Sequence, residues 1–321
     1  MTKKILHKGT AALLGAAFLL AFAAGPALAE QRHEEKFEKT ESLAADGKFY
    51  LSNVSGQIEI ATWKNAQVKI EALKTSKASS LAKAKENAAE VAIEVTKDGD
   101  LVKVVTKYPK RHGGFWGGDS INVSVDYKVW VPERAAVEVH SVSGDVDVAA
   151  IGGKAVIDCT SGNVDLQGAA GADIDLTSGE LTLRNINGDL SIQGVSGNIE
   201  ATAVKGSIEV EAVSGDIELR DVSDASSVSV ASISGNITYV GKIIVGGRYT
   251  IKAHSGDVRL TIPADSSFDL EASTFSGEIE VDFPIQVVGK ISRREVCGTV
   301  GKGGATIRLK TFSGNVDLRK K

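Results

Sequence analysis

Acidic and amide side chains recur at two fixed places after a repeated Ser-Gly dipeptide in the second half of this chain of 321 residues. One residue after the glycine, all nine repeats carry Asp, Asn or Glu, and three residues after it six of the nine carry a further acid. Calcium prefers six to eight oxygen ligands, so neighbouring acids could bind it weakly without a dedicated cage. The candidates are Asp145, Asp147, Asp165, Asp216 and Glu218, and no other cofactor is predicted.

Paired carboxylates could also do general acid and base chemistry on a polysaccharide. The first choice for such a site is Asp257 with Arg259 beside it. However, a repeat places many similar pairs on one surface, whereas a catalytic site is needed only once. No Trp lies between residues 137 and 321 to form a sugar platform. We therefore interpret the acids mainly as a solvated face that keeps the protein soluble, and we do not expect an enzyme.

The spacing of the repeats predicts the elements that carry these acids. The Ser-Gly glycines stand at 144, 162, 179, 197, 215, 235, 256, 277 and 314, at intervals of 17 to 21 residues and a final interval of 37. A fixed period of about this length is typical of a solenoid, in which each coil buries its apolar face only by stacking on its neighbours. Apolar residues alternate on both sides of each Ser-Gly, which predicts two half-buried strands per coil.

The Ser-Gly dipeptide itself has a structural explanation. A corner between two strands needs a residue without a Cβ that can adopt a positive φ, and glycine supplies both. Serine can bond to nearby backbone groups through its hydroxyl. Cys159 falls in an inward column of small residues and should be a buried free thiol, several coils away from Cys297.

Residues 48–135 precede the regular array and are predicted to cap it with strands, a hairpin and one short helix. The helix is expected within residues 79–91, and the hairpin should turn at Asp98-Gly99-Asp100. Residues 30–47 are highly charged and are predicted to be flexible. In the stretch PKRHGGFWGGDS, Phe115 and Trp116 stand between paired glycines, where they would either recognise a ligand or cover the end of the core.

Residues 1–29 have the features of a secretory signal peptide: three lysines, an apolar run and small residues before a cleavage point after Ala29. Cleavage would leave 34 of the 37 Lys and Arg against all 41 Asp and Glu. This mild acidity argues against nucleic acid as a partner. No membrane-spanning segment is expected after cleavage, so the protein should be exported to the periplasm or to the cell surface.

Several stretches together resemble a known family. They are FYLSNVSGQIEIATW, VWVPERAAVEVHSVSGDVDV, the Ser-Gly ladder and the closing GTVGKGGATIRLKTFSGNVDLRKK. In this order they are similar to the bacterial putative-adhesin family of exported β-solenoid domains, over residues 47 to 319. The resemblance implies an all-β fold, a right-handed parallel β-helix of about 18–21 residues per coil occupying residues 136–319. It transfers no catalytic residues.

The favoured function is that of a non-enzymatic, adhesin-like protein of the cell envelope that binds a polysaccharide or a surface protein. Two alternatives remain open at this point. One is a polysaccharide-active β-helix enzyme, and the other is a regulatory or scaffold module associated with envelope stress.

Overall fold

A computed structural model describes residues 30–109, 121–287 and 292–321, and these residues form mainly β-strands. The strands build two long sheets, which we call sheet A, with 13 strands, and sheet B, with 14 strands. The apolar side chains of both sheets form one continuous core. The predicted β-solenoid is therefore confirmed.

The first described residues form an irregular region that joins both sheets. Its elements are β1 (Gln31–Ser42), β2 (Lys48–Ser55), β3 (Ile58–Trp63), β4 (Gln67–Ala78), α1 (Leu81–Glu90), β5 (Ala92–Asp98), β6 (Leu101–Lys107) and β7 (Asn122–Pro132). Strands β2 and β3 flank the early Ser55-Gly56 corner and pair in parallel with the first regular coil. Strands β5 and β6 form the predicted antiparallel hairpin. The predicted helix is also present, and the Ser80 side chain caps it by accepting a bond from the Lys83 backbone N–H at 3.2 Å.

The expectation of a flexible segment at residues 30–47 is wrong for most of its length. Strand β1 pairs antiparallel with β4 along twelve residues and forms the outer edge of sheet A. Ion pairs between the strands replace the apolar alternation that the sequence lacks: Lys74 lies 3.0 Å from Glu35, and Lys69 lies 3.2 Å from Glu38. A charged edge strand also discourages pairing with other chains, because burying its charges would be costly.

The regular coils each place one strand in sheet B, turn at Ser-Gly, and place the next strand in sheet A. These strands are β8 (Ala136–Ser143), β9 (Val146–Val148), β10 (Lys154–Ser161), β11 (Val164–Leu166), β12 (Gly171–Ser178), β13 (Leu181–Ile186), β14 (Leu190–Ser196), β15 (Ile199–Val204), β16 (Ile208–Ser214), β17 (Ile217–Val222), β18 (Ser227–Ser234), β19 (Ile237–Gly241), β20 (Arg248–Ser255) and β21 (Val258–Ile262). Neighbouring coils pair in parallel, with equivalent serines opposite each other. This register places the inward Val, Ile and Leu side chains in continuous buried columns.

The corner glycines stack directly on one another. Gly215, for example, has a φ of 120°, and a Cβ built on it would lie 2.1 Å from the Gly197 carbonyl oxygen. Since this distance is far below any normal contact, the coils can stack this closely only when the corner residue is glycine.

The last coil does not follow chain order. The final strands are β22 (Phe268–Ser276), β23 (Ile279–Val281), β24 (Ile285–Val287), β25 (Glu295–Val300), β26 (Ala305–Ser313) and β27 (Val316–Lys320). Strand β26 inserts between β20 and β22, and β27 inserts between β21 and β23. Strand β25 then covers the exposed edge of β22 by antiparallel pairing. The final interval of 37 residues between Ser-Gly glycines contains β24 and β25, and the sequence did not predict that β26 and β27 return into the array.

Candidate binding face

The acids that follow the corner glycines bond to the backbone of the next coil. The Asp145 Oδ1 atom accepts a bond from the Asn163 N–H at 2.8 Å, and Asp216 Oδ1 accepts one from the Asn236 N–H at 2.8 Å. Asn236 Oδ1 accepts the equivalent bond from the Asp257 N–H at 3.0 Å. Because Asp and Asn both offer a side-chain oxygen at this place, the alternation between them has a structural explanation that does not require a metal.

The acids three residues after the glycine are held mainly by basic or amide side chains. Asp165 accepts a bond from Arg184 at 2.9 Å, Asp147 accepts one from the Gln57 amide at 3.0 Å, and Glu218 pairs with Arg220. A nearby positive charge competes with a cation for the same carboxylate.

A small hollow of about 280 Å³ on sheet A contains two of the candidate calcium ligands, Asp216 and Glu218, together with Asp257 and Arg259. Arg259 forms an ion pair with Asp317 at 3.2 Å, so its guanidinium is not dedicated to Asp257. Among residues 30–109, 121–287 and 292–321, no group of three or more His, Cys, Asp or Glu side chains is arranged to hold a metal ion. Calcium binding by these acids stays a prediction.

Phe115 and Trp116 lie outside the described residues, so their role stays a prediction. Cys159 is buried as expected, and both cysteines are free.

A different surface has the features of a binding site. On sheet B, the residue two positions before each corner glycine faces solvent, and in seven of ten coils it is apolar. We call this column the sheet B stripe, and in spatial order it contains Val54, Val142, Thr160, Thr177, Val195, Val213, Ile233, His254, Phe312 and Phe275. A continuous exposed apolar surface of this kind commonly marks an interaction site.

The stripe ends in three stacked rings. The Phe312 and Phe275 ring centroids are 4.7 Å apart with an interplanar angle of 4°, and those of Phe312 and His254 are 5.1 Å apart with an angle of 10°. Both faces of the Phe312 ring are thus covered by neighbouring rings. Its C–H edge remains exposed, and a ring edge suits packing against apolar side chains better than stacking of a sugar.

A shallow groove of about 860 Å³ runs along the stripe from Thr177 to Phe312. Its floor consists of small side chains that lie one residue before the stripe, among them Gly194, Ala212 and Ser232. The small floor residues make the surface lower than on either side. The stripe forms one wall of the groove, and the outward residues two positions before the stripe form the other wall. The groove crosses six strands, which at about 4.8 Å per strand gives a length of roughly 24 Å.

Sequence reasoning missed this stripe although its signal is present in the repeat. In strands β8, β16 and β18, buried and exposed residues alternate up to the residue three before the corner glycine, and that residue is buried. The next two residues, the stripe residue and the serine, are both exposed. Alternation from this buried residue already predicts that the next one, the stripe residue, faces outward; only the exposed serine after it departs from a period of two.

Comparison with protein families gives one match. The model of a family described as Toastrack DUF4097 matches residues 48–319 of this chain. A comparison with curated proteins gave no match. In the described residues, no helix is long and apolar enough to span a bilayer.

Three solved bacterial structures match this chain over most of its length. A "putative adhesin" from Parabacteroides distasonis is 14% identical, with coverage of 89% of this chain and 97% of that chain and a TM-score of 0.46. A "putative lipid binding protein" from the same organism is 14% identical, with coverage of 89% and 96% and a TM-score of 0.46. A "putative adhesin" from Bacteroides fragilis is 12% identical, with coverage of 88% and 97% and a TM-score of 0.38.

Proposed function

This chain belongs to the Toastrack DUF4097 family, and on that premise we propose that it is an exported, non-enzymatic, adhesin-like protein of the cell envelope. In this proposal the sheet B stripe binds a surface protein. Residues 1–29 act as the signal peptide, and residues 48–135 act as the cap of the array at 136–319.

The stripe is the observation that carries the proposal. Val195, Val213 and Ile233 are 49%, 44% and 55% exposed in the described part of the chain. Exposed apolar surface that continues over many coils is unfavourable in water unless a partner buries it, at roughly 25 cal/mol per Å². The stripe is also a repeated feature, as expected for an extended binding surface and unlike a catalytic centre.

The chemistry of the stripe favours a protein over a polysaccharide. His254 and Phe275 cover the two faces of the Phe312 ring, so this ring presents its edge to a partner. The aliphatic side chains of Val195, Val213 and Ile233, which lie beside the rings in the stripe, offer no hydrogen bonds to sugar hydroxyls. An apolar protein surface would be buried here with complementary packing.

The proposal is tested by binding of labelled protein, residues 30–321, to intact cells of the source bacterium. We expect binding by the natural protein and a large loss of binding for Ile233→Glu, which places a charge in the middle of the stripe. Val245→Glu is the matched control, because Val245 is 87% exposed and lies outside the stripe.

Pretreatment of the cells identifies the class of partner. Protease treatment should abolish binding, whereas periodate oxidation of surface sugars should leave it intact. Equal binding by Ile233→Glu and the natural protein would overturn the assignment of the stripe, and loss of binding after periodate alone would show a polysaccharide ligand.

A further inference from the structure

The outward positions on sheet B divide the groove into an acidic half and a basic half. In sheet order, the six strands that line it are β12, β14, β16, β18, β20 and β26. The acidic half carries Asp173 and Asp175 on β12 and Glu209 and Glu211 on β16; the basic half carries Arg248 and Lys252 on β20 and Arg308 and Lys310 on β26. The intervening strands β14 and β18 have no charged residue.

Most of these charges have no partner within the described part of the chain. Only Asp173, with Lys154 at 3.6 Å, and Arg308, with Glu271 at 3.1 Å, form ion pairs. The pKa of Asp175 is raised by partial burial and by repulsion from the neighbouring acids Asp173 and Asp158. The strands of the acidic half carry no Lys or Arg, and those of the basic half carry no Asp or Glu.

Side-chain size changes along the stripe in the same direction as charge. Beside the acidic half the stripe has the small residues Thr160 and Thr177, and beside the basic half it has the stacked His254, Phe312 and Phe275. Aliphatic residues of intermediate size lie between them. A complementary partner surface would have the same two gradients in the opposite direction, with bases opposite these acids and large side chains opposite these small ones.

A second copy of this chain has such a surface. Rotation by 180° about an axis that lies in the plane of the face, parallel to the strands and between β16 and β18, reverses the order of the coils. It places β12 opposite the partner's β26, and β14 opposite the partner's β20. The acidic half then faces the partner's basic half, with the acids of β12 directly opposite the bases of the partner's β26, whereas the charges of β16 and β20 face the uncharged strands β18 and β14 and are one strand away from each other. Small stripe residues face rings, which allows them to interdigitate.

We propose that sheet B is the interface of an antiparallel two-fold dimer, in which Asp175 faces the partner's Lys310 and Thr177 faces the partner's Phe312. This inference rests on the proposed function, because it names the surface protein that the stripe binds. If the two copies belong to neighbouring cells, the dimer joins those cells.

The opposite orientation is unfavourable. A parallel arrangement of the two copies would bring acidic half to acidic half and basic half to basic half, where like charges repel across the interface. In addition, each ring would face a ring at one end, and Thr177 would face another threonine at the other end, which leaves space unfilled.

The arrangement is tested by sedimentation equilibrium of residues 30–321 at low and at high salt. We expect a dimer whose dissociation constant rises with salt, because exposed charges are screened at high ionic strength. Ile233→Glu should give a folded monomer, since Ile233 is 55% exposed in the single chain, and Val245→Glu should leave the dimer unchanged.

Charge exchange tests the antiparallel register. Asp175→Lys and Lys310→Glu should each weaken the dimer by about tenfold or more, because each two-fold dimer contains the pair twice. The double variant should restore the affinity of the natural protein. Within one chain these residues lie five strands, or roughly 24 Å, apart, well beyond a Debye length of about 8 Å, so a rescue can only arise between two chains.

The outcomes separate this inference from the proposed function. A natural protein that stays monomeric at low salt, or a double variant as weak as the single variants, would overturn the antiparallel dimer. If Ile233→Glu nevertheless loses cell binding, and the natural protein still binds to cells that lack this gene, the stripe binds a different protein. If the dimer forms as described but cells are not bound, the dimer stands and the adhesin function fails.

Discussion

Replacement of Gly215 by alanine should destabilise the protein far more than the same change at Gly99. Both glycines have a positive φ, of 120° at Gly215 and 55° at Gly99. They differ in their surroundings, because a Cβ at Gly215 would lie 2.1 Å from the Gly197 carbonyl oxygen, whereas nothing lies within 4 Å of a Cβ at Gly99. The two variants therefore differ both in the contact with the neighbouring coil and in the backbone conformation that alanine must adopt.

The size of the effect follows from two contributions. A φ near 120° is almost restricted to glycine, and holding another residue there costs about 1–3 kcal/mol. Relief of the clash requires the coils to separate at the corner, which weakens the Gly197 N–H bond to Ser214 O, 3.1 Å, and the Ile199 N–H bond to Asp216 O, 2.9 Å. At about 0.5–1.5 kcal/mol for each bond, the total loss is about 2–6 kcal/mol. For Gly99→Ala the expected loss is about 1–2 kcal/mol.

Urea unfolding followed by circular dichroism measures both variants. Because stacked repeats can unfold in segments, hydrogen exchange at residues 196–217 provides a local measure of the same change. The reasoning is refuted if Gly215→Ala and Gly99→Ala lose equal stability, or if exchange near residue 215 is no faster than in the natural protein.

Four further predictions concern single groups. Asp216→Val should lower the free energy of unfolding by about 1 kcal/mol, because it removes the oxygen that accepts a hydrogen bond from the Asn236 N–H. Asp216→Asn keeps such an oxygen and should keep the stability, so equal losses for the two variants in urea unfolding would contradict this. Burial raises the pKa of the Cys159 thiol. A thiol reagent should therefore label Cys297 first in the folded protein and Cys159 only on unfolding. Equal labelling rates for the two cysteines in the folded protein would argue against a closed core. Hydrogen bonds from His140 and Lys48 hold the pKa of Glu138 below its ordinary value of 4.5. The contribution of Glu138 to stability is therefore complete above pH 4.5 and is lost as the pH falls through the lowered pKa. Glu138→Gln should lose less stability in acid than the natural protein, and an unchanged pH profile of stability would count against this reasoning. If the acid ladder binds calcium, millimolar calcium should raise the unfolding temperature above that in chelator, and equal midpoints would eliminate the metal.

Local pattern was sufficient to predict the coils because each one repeats the same physical problem. A coil must bury a row of aliphatic side chains and turn sharply without a Cβ clash, so Val, Ile and Gly return at fixed places. The helix and the hairpin were predictable for a similar reason, since Ser80 and Gly99 act through bonds and backbone conformations within a few residues of themselves.

Strand β1 could not be predicted in this way. Its sequence has little apolar alternation, and its pairing with β4 depends on residues about 40 positions away, such as Lys74 opposite Glu35. The same holds for the candidate acids: Asp145 and Asp216 looked like ligands in the sequence, and their bonds to the next coil appear only when the coils are stacked.

The sequence by itself determined the period, the buried columns and the glycine corners, because these depend on contacts that every coil makes with its neighbour. Tertiary structure decided which positions near the corner face solvent and in what order the coils lie. Phe312 is 37 residues after Phe275 in the chain, yet its ring lies between those of Phe275 and His254, because β26 inserts between β20 and β22. The stacked rings, the basic end of the groove and the opposing gradients of charge and size all result from that insertion, which no local pattern specifies.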